Sequence, residues 1–273
     1  MSRIWSSGSE LQSVTAGVEF TTGAGAPTID TTTFRSGAAA LRVNTTDDVL
    51  YTFSAADAED GFYCRFYIYI VTLSSTGTRN IFGFQDAANT LQVALQLTVD
   101  GTLILRNVED GANVGSASPA LSTGQWYRIE MKFDSTTLAS TVVEARINGV
   151  PFASGTVDLA NGANRLRWIC IASEASLDFL IDDIALNDDS GSFQNSWPGE
   201  GEIIHLRPNA AGDADEWDLT TTYENIDEIT PDDGTTIISS LTSGQIHDVN
   251  VDATPASLAA TDRVSVVPSR SSF

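Results

Sequence analysis

Histidine, lysine and cysteine are scarce in this chain of 273 residues, and each scarcity closes a route to function. The two histidines, His205 and His247, both lie beyond residue 200. Neither a Ser-His-Asp triad nor a histidine zinc site can therefore be built from the earlier part of the chain. Lys132 is the sole lysine, so the 14 basic residues are nearly all arginine, and they face 36 acidic ones at a net charge of −22. Such an excess repels polyanions, which excludes nucleic acid and anionic lipid as general partners. No apolar run reaches the length of about 18 residues that a membrane helix needs, so no membrane insertion is expected. The opening Met1-Ser2-Arg3-Ile4-Trp5 stretch lacks the apolar core of a signal peptide, and synthesis in a cytoplasm is the corresponding expectation. Cys64 and Cys170, 106 residues apart, fit neither a disulfide framework nor a zinc spacing. Each sits inside an apolar run and is read as a buried thiol. Phosphate-binding glycine loops and a Gly-x-Ser-x-Gly elbow are absent as well.

What remains is β material. Hydrophobic residues make up 42% of the chain, enough for a core. Period-two alternation or dense aromatic and β-branched content marks Ala39–Val43, Val49–Phe53, Phe62–Val71, Asn80–Phe84, Leu91–Thr98, Leu103–Arg106, Trp126–Phe133, Thr141–Ile147, Leu166–Ala172 and Phe179–Leu186 as strands. This is the strand count of a two-sheet sandwich. Asp100-Gly101 and Asn148-Gly149 fall between strand-like runs and predict hairpins. No window keeps a helical apolar stripe, which argues against an α/β class. Alternation in the aromatic strand turns Phe62, Cys64, Phe66, Ile68 and Ile70 to the core, and Tyr63, Arg65, Tyr67 and Tyr69 to the other face. That second set is either a ligand-facing surface or cross-strand packing.

The texture changes after Leu186, where Asn, Asp, Ser, Gly and Pro predominate. The expected organisation is a β-sandwich over 1–190, a linker over 191–205 and a small acidic β-rich unit over 206–273. From Glu200 to Asp252 there are 13 acidic side chains and one basic, Arg207. Strands are expected there at Glu202–Leu206, Thr235–Leu241, Ile246–Val251 and Arg263–Val267. A unit this small and charged needs support from its surroundings.

Several segments occur in a familiar order: Ser36-Gly37-Ala38-Ala39-Ala40-Leu41-Arg42-Val43, the aromatic strand, Gly124-Gln125-Trp126-Tyr127-Arg128-Ile129-Glu130, and Phe179-Leu180-Ile181-Asp182-Asp183-Ile184. Together they resemble the concanavalin A-like, laminin-G-type jelly roll. The continuation through Asn195-Ser196-Trp197-Pro198-Gly199, Leu206-Arg207-Pro208 and Tyr223-Glu224-Asn225-Ile226-Asp227-Glu228 is similar to virion structural proteins of tailed bacteriophages, which pair such a jelly roll with another β domain. The second domain of those proteins is longer than the 68 residues from 206 onward, which suggests a shortened or incomplete unit. The resemblance implies a non-enzymatic structural or adhesion component of a phage virion, at the tail, tail fibre or capsid surface. Its expected partners are other virion structural proteins, further copies of itself and host-surface glycans. The alternatives are a free-standing carbohydrate-binding module or lectin and a polysaccharide depolymerase.

Catalytic carboxylates are not apparent. The alternating Glu-x-Asp-x-Glu of related β-glucanases is absent, and Glu224-Asn225-Ile226-Asp227-Glu228 breaks the alternation that a retaining pair needs. No cofactor is required by the residues present. Calcium is the one cation worth considering, because Asp47 with Asp48, Asp57 with Asp60, and Asp182 with Asp183 supply hard oxygens. Asp182 and Asp183 read equally as acceptors for backbone amides at the final strand. Trp126 and Trp168 are expected in the core; Trp5 and Trp217, in polar sequence, are expected at the surface or a junction.

Overall fold

The computed structural model describes residues 3–15, 18–44, 46–53, 61–170, 176–216, 223–230 and 243–253. It divides into two compact units, Met1–His205 and Leu206–Phe273. In chain order the strands of the first are β1 (Arg3–Ser7), β2 (Thr21–Ala24), β3 (Thr28–Asp30), β4 (Ala40–Asn44), β5 (Asp48–Thr52), β6 (Gly61–Thr72), β7 (Arg79–Gln85) and β8 (Leu91–Leu97). They continue as β9 (Leu103–Asn107), β10 (Ala112–Val114), β11 (Trp126–Asp134), β12 (Thr141–Ile147), β13 (Val150–Val157), β14 (Arg165–Ile169) and β15 (Asp178–Asp188). The all-β sandwich read from the alternation, which the resemblance makes a jelly roll, is the observed architecture, with two antiparallel sheets face to face. One sheet runs β13-β12-β11-β6-β15-β4-β3, with β1 also on β15. The other runs β10-β9-β8-β7-β14-β5-β2.

Every apolar run identified in the sequence carries one of these strands. Both hairpins form as well. Asn148 and Gly149 take φ values of 52° and 83°, the left-handed pair that a tight turn between twisted strands demands. β1, β2, β3, β10 and β13 are not among the expected strands: the first four are short and held by their neighbours in the sheet, and in β13 Pro151, Ser154 and Gly155 dilute the apolar signal.

Between the sheets the inward residues interdigitate around Trp168, whose ring lies 5.3 Å from Phe82 and 5.9 Å from Phe66. Phe66, Phe82, Phe84, Phe133, Phe179 and Trp168 are all fully enclosed, and each such side chain contributes about 1.5–3 kcal/mol through burial. Cys64 and Cys170 are free and buried. Burial raises both thiols, that of Cys170 to about 11, so neither is a nucleophile near neutrality.

One irregularity organises the eight-stranded sheet. Residues 178–181 of β15 pair with β4 on one side, whereas 184–187 pair with β1. The changeover falls at Asp182-Asp183, where the pairing with β6 also shifts register and Asp183 adopts φ 50°. Backbone donors from the loops entering this gap need acceptors, and the two aspartates provide them.

The second unit pairs β16 (Pro208–Asp215) with β17 (His247–Val251). β17 falls within the expected Ile246–Val251. Two other expectations are corrected. Glu202–Leu206 forms no strand, because Ile203 N–H donates to the Asp183 side chain, 2.6 Å away, and not to a neighbouring strand. The Gly- and Asp-rich stretch after Pro208, where no strand was expected, is β16. Asp248 there accepts from Ala214 N–H and lies so close to Gly212 that a Cβ would sit 2.4 Å from its Oδ1. Thr235–Leu241, Arg263–Val267 and Trp217 lie outside the described residues.

Candidate functional site

A sandwich offers two outer faces. On the eight-stranded sheet, alternation turns Tyr63, Arg65, Tyr67 and Tyr69 outward as expected, yet they do not form an open surface. Residues 191–205, read as a linker, belong to the first unit and run across this face as a strap. Trp197 packs edge-on to Tyr63 at 5.3 Å and under the Arg146 guanidinium at 3.7 Å. Gly199 N–H donates to Glu130 and its carbonyl accepts from Arg65 Nη1. Arg35 lies 3.6 Å above the Tyr67 ring. Arg65 is consequently 3% and Tyr67 6% exposed, which corrects their reading as glycan ligands. Tyr69 stays half-buried against Trp126, 5.4 Å away. Trp126 is thus an outer-face residue, not the core residue expected; Trp168 is the core tryptophan, and Trp5 stacks on Tyr51 at 3.9 Å.

Under the strap lies a buried acid cluster. Asp182 and Asp183 are wholly enclosed. Asp182 accepts from the backbone N–H of Arg35, Ser36 and Asp183. Asp183 accepts from Arg35 Nη1 at 2.6 Å, Ser36 Oγ at 2.7 Å and Ile203 N. Every carboxylate oxygen of the pair therefore already has a donor. Desolvation, reinforced by the neighbouring Asp183, pushes Asp182 up to about 8 against the pull of its amide donors. Glu10, which accepts from Ala38 N, is raised to about 7, chiefly by desolvation. A calcium ion would have to displace these donors and bring its own coordination shell into a filled space, so the pair does not fit a calcium site. Asp47 and Asp48 are similarly committed, to Ala26 N and Asn44 N and to the Arg167 guanidinium. Asp57 and Asp60 lie outside the described residues. No three metal-ligating side chains gather among the described residues.

The outer face of the seven-stranded sheet is different. Register aligns Leu50, Arg167, Gly83, Ala94 and Arg106 in one row across five strands. Asn80, Gln96 and Ile104 form the row on one side, and Thr52, Arg165, Gln85 and Leu91 the row on the other. Gly83 and Ala94, at the centre, are nonetheless buried, Ala94 completely, because longer neighbours such as Leu91 close over them, and the exposed part of the face is formed by the polar side chains around them. A Cβ on Gly83 would lie 2.7 Å from Leu91 Cδ2 and 2.8 Å from Val93 O, so the packing here requires glycine. Gln96 Nε2 donates to Asn80 Oδ1 at 2.8 Å, and a bidentate pair with Asp48 orients Arg167. At the β10 end of this sheet, a cleft of about 320 Å³ opens between β10 and β13, lined by Asn107, Asp110, Asn113, Thr156 and Asp158 among others. Paired amides and guanidinium groups are suited to hydroxyl-rich ligands, which are held by many hydrogen bonds. These residues were missed in the sequence, although the Gln and Arg alternating with Leu in β8, β9 and β14 mark a polar outer face.

Neither the known protein-family models nor the curated protein sequences contain a match to this chain. Solved structures do share its fold. The carbohydrate esterase of the Shiga toxin-encoding bacteriophage phi24B aligns at a TM-score of 0.52 with 16% identity, covering 69% of this chain and 99% of the other. An endo-β-1,4-glucuronan lyase of the fungus Trichoderma reesei aligns at 0.50 with 11% identity, covering 68% and 95%. Domain 4 of an extracellular arabinanase of Geobacillus stearothermophilus, solved with arabinotriose, aligns at 0.47 with 16% identity, covering 68% and 92%. At these identities the first two establish the sandwich fold and nothing narrower.

Proposed function

We propose that the chain is a non-enzymatic structural and adhesion component of a bacteriophage virion whose seven-stranded sheet recognises host-surface glycans. The observation that carries the glycan part is the set of partly exposed polar side chains, Asn80, Gln96, Arg106 and Arg167, standing in adjoining rows on the outer face of that sheet. Its acidic neighbours are engaged structurally, which supports recognition without catalysis. Asp48 is held by Arg167, and Asp86 accepts from Thr90 N, Gln92 and Asn161. The particle part is supported by the ordered motifs that resemble phage virion proteins. Several copies on one particle would raise a weak per-site affinity through multivalency.

Beads carrying many copies of the chain are expected to retain envelope polysaccharide of the host, and Asn80→Ala with Gln96→Ala to abolish retention. Equal retention by the double variant overturns the site. For the particle part, mass spectrometry of density-purified virions is expected to find peptides of this chain in stoichiometric amounts. Its presence in cells or medium alone favours a free-standing lectin.

A further inference from the structure

We infer that the polar outer face of the seven-stranded sheet selects saccharides that carry carboxylate groups; the inference rests on the glycan reading above. With 36 acidic residues against 14 basic ones, cations are in demand throughout this chain. On the strapped face Arg35, Arg42, Arg128, Lys132 and Arg146 all pair with carboxylates. Arg3, on β1, is held by the Asn187 side-chain oxygen, and Arg79, Arg106 and Arg165 of the other sheet also form no such pair among the described residues; of these, Arg106 and Arg165 adjoin the polar rows described above. Both lie on the outer face of the other sheet, both are partly exposed, and among the described residues neither has an ion-pair partner.

What holds them is neutral. Arg106 Nη1 donates to the Asn113 side-chain oxygen at 3.0 Å, and Arg165 Nη1 to that of Asn89. An amide oxygen orients a guanidinium group without cancelling its charge, and Arg165 Nε is buried with no hydrogen-bond partner. None of the nearby acids pairs with either arginine among the described residues. Asp48 pairs with Arg167, Glu109 accepts from Ala160 N, and Asp110 accepts from Asn107 Nδ2. A planar, charged fork with free donors matches a carboxylate, which can accept two of them. β9 and β14 are three strands apart and Arg165 lies two residues along from the row of Arg106, so the two arginines stem from points about 16 Å apart, at about 4.8 Å per strand and about 3.4 Å per residue. That separation suits an oligosaccharide lying across the strands with acidic groups on different sugars.

The test uses the full chain and a panel of uronate and sialate oligosaccharides, each beside its carboxyl-reduced, neutral counterpart, with affinities from calorimetry. At least one acidic member is expected to bind about tenfold or more tighter than its reduced counterpart. Arg106→Gln and Arg165→Gln should each remove most of that preference, weakening the acidic form far more than the reduced one. Asn80→Ala should weaken both forms alike. Thermal melting of the variants at the wild-type temperature separates a binding effect from misfolding. Equal or tighter binding of the reduced forms, or a carboxylate preference that survives both arginine substitutions, overturns the inference and leaves the glycan reading standing. Absence of binding to every acidic and neutral member overturns both.

Discussion

The two outer faces of the sandwich spend their charge in opposite ways. On the strapped face, arginines and carboxylates are consumed against one another and against backbone groups, with Arg35, Asp183, Gly201 and Ile203 joined in one network. On the open face, Arg106 and Arg165 are steadied by amides and keep their charge. A charged residue that is enclosed and saturated serves the fold, whereas one that is oriented yet unneutralised is available to a partner. The aromatic ladder of β6 was the more conspicuous signal in the sequence, and it lies on the structural side.

Breaking the strapped face should have the largest effect. Arg35→Ala leaves the Asp183 carboxylate enclosed without its ion-pair partner and is expected to cost about 3–5 kcal/mol in urea unfolding. Trp197→Ala removes an edge-on aromatic contact and a cation–π contact; a loss of about 1–2.5 kcal/mol is expected, with faster hydrogen exchange at Gly199 and Ile203. The pH dependence follows from Asp182 and Glu10, whose folded pKa values of about 8 and about 7 lie above those of an unfolded chain. Their stabilisation is complete below about pH 4 and is lost as the pH rises through 7 and 8. The melting temperature should therefore fall on the alkaline side, and Asp182→Asn should flatten that fall. On the open face, Arg106→Gln should alter stability by no more than about 0.5 kcal/mol. A large loss there would make Arg106 structural and erase the contrast between the faces.

Much of the fold was legible because period-two alternation reports directly on which residues face a core. Phe62 to Ile70 and Leu91 to Leu97 have no other economical explanation, and Asn148-Gly149 fixes its turn by sterics alone. The strap was illegible for a physical reason. Its Ser, Pro and Gly residues look like a linker, and what holds it down comes from Glu130, Arg65 and Asp183, which are remote in sequence. The polar row of the other sheet was illegible for another. Composition shows that β8, β9 and β14 have a polar face, but only the register places Arg167, Gly83, Ala94 and Arg106 in one row. Asp182 and Asp183 were read both as cation ligands and as acceptors for amides; the change of partner along β15 explains why amides arrive there.

The pairing of β1 with β15 also sets the timing of folding. Arg3 donates to Asn187, 184 positions later, and Ser7 sits opposite Ile184. A ribosome must therefore release nearly the whole sandwich before its first strand has anywhere to dock. Contacts of such long separation slow folding, and exposed strand edges are vulnerable to association with other chains in the meantime. Where many copies are made at once, the interval between synthesis of the first and last strands is the stage at which a folding helper would have most to protect.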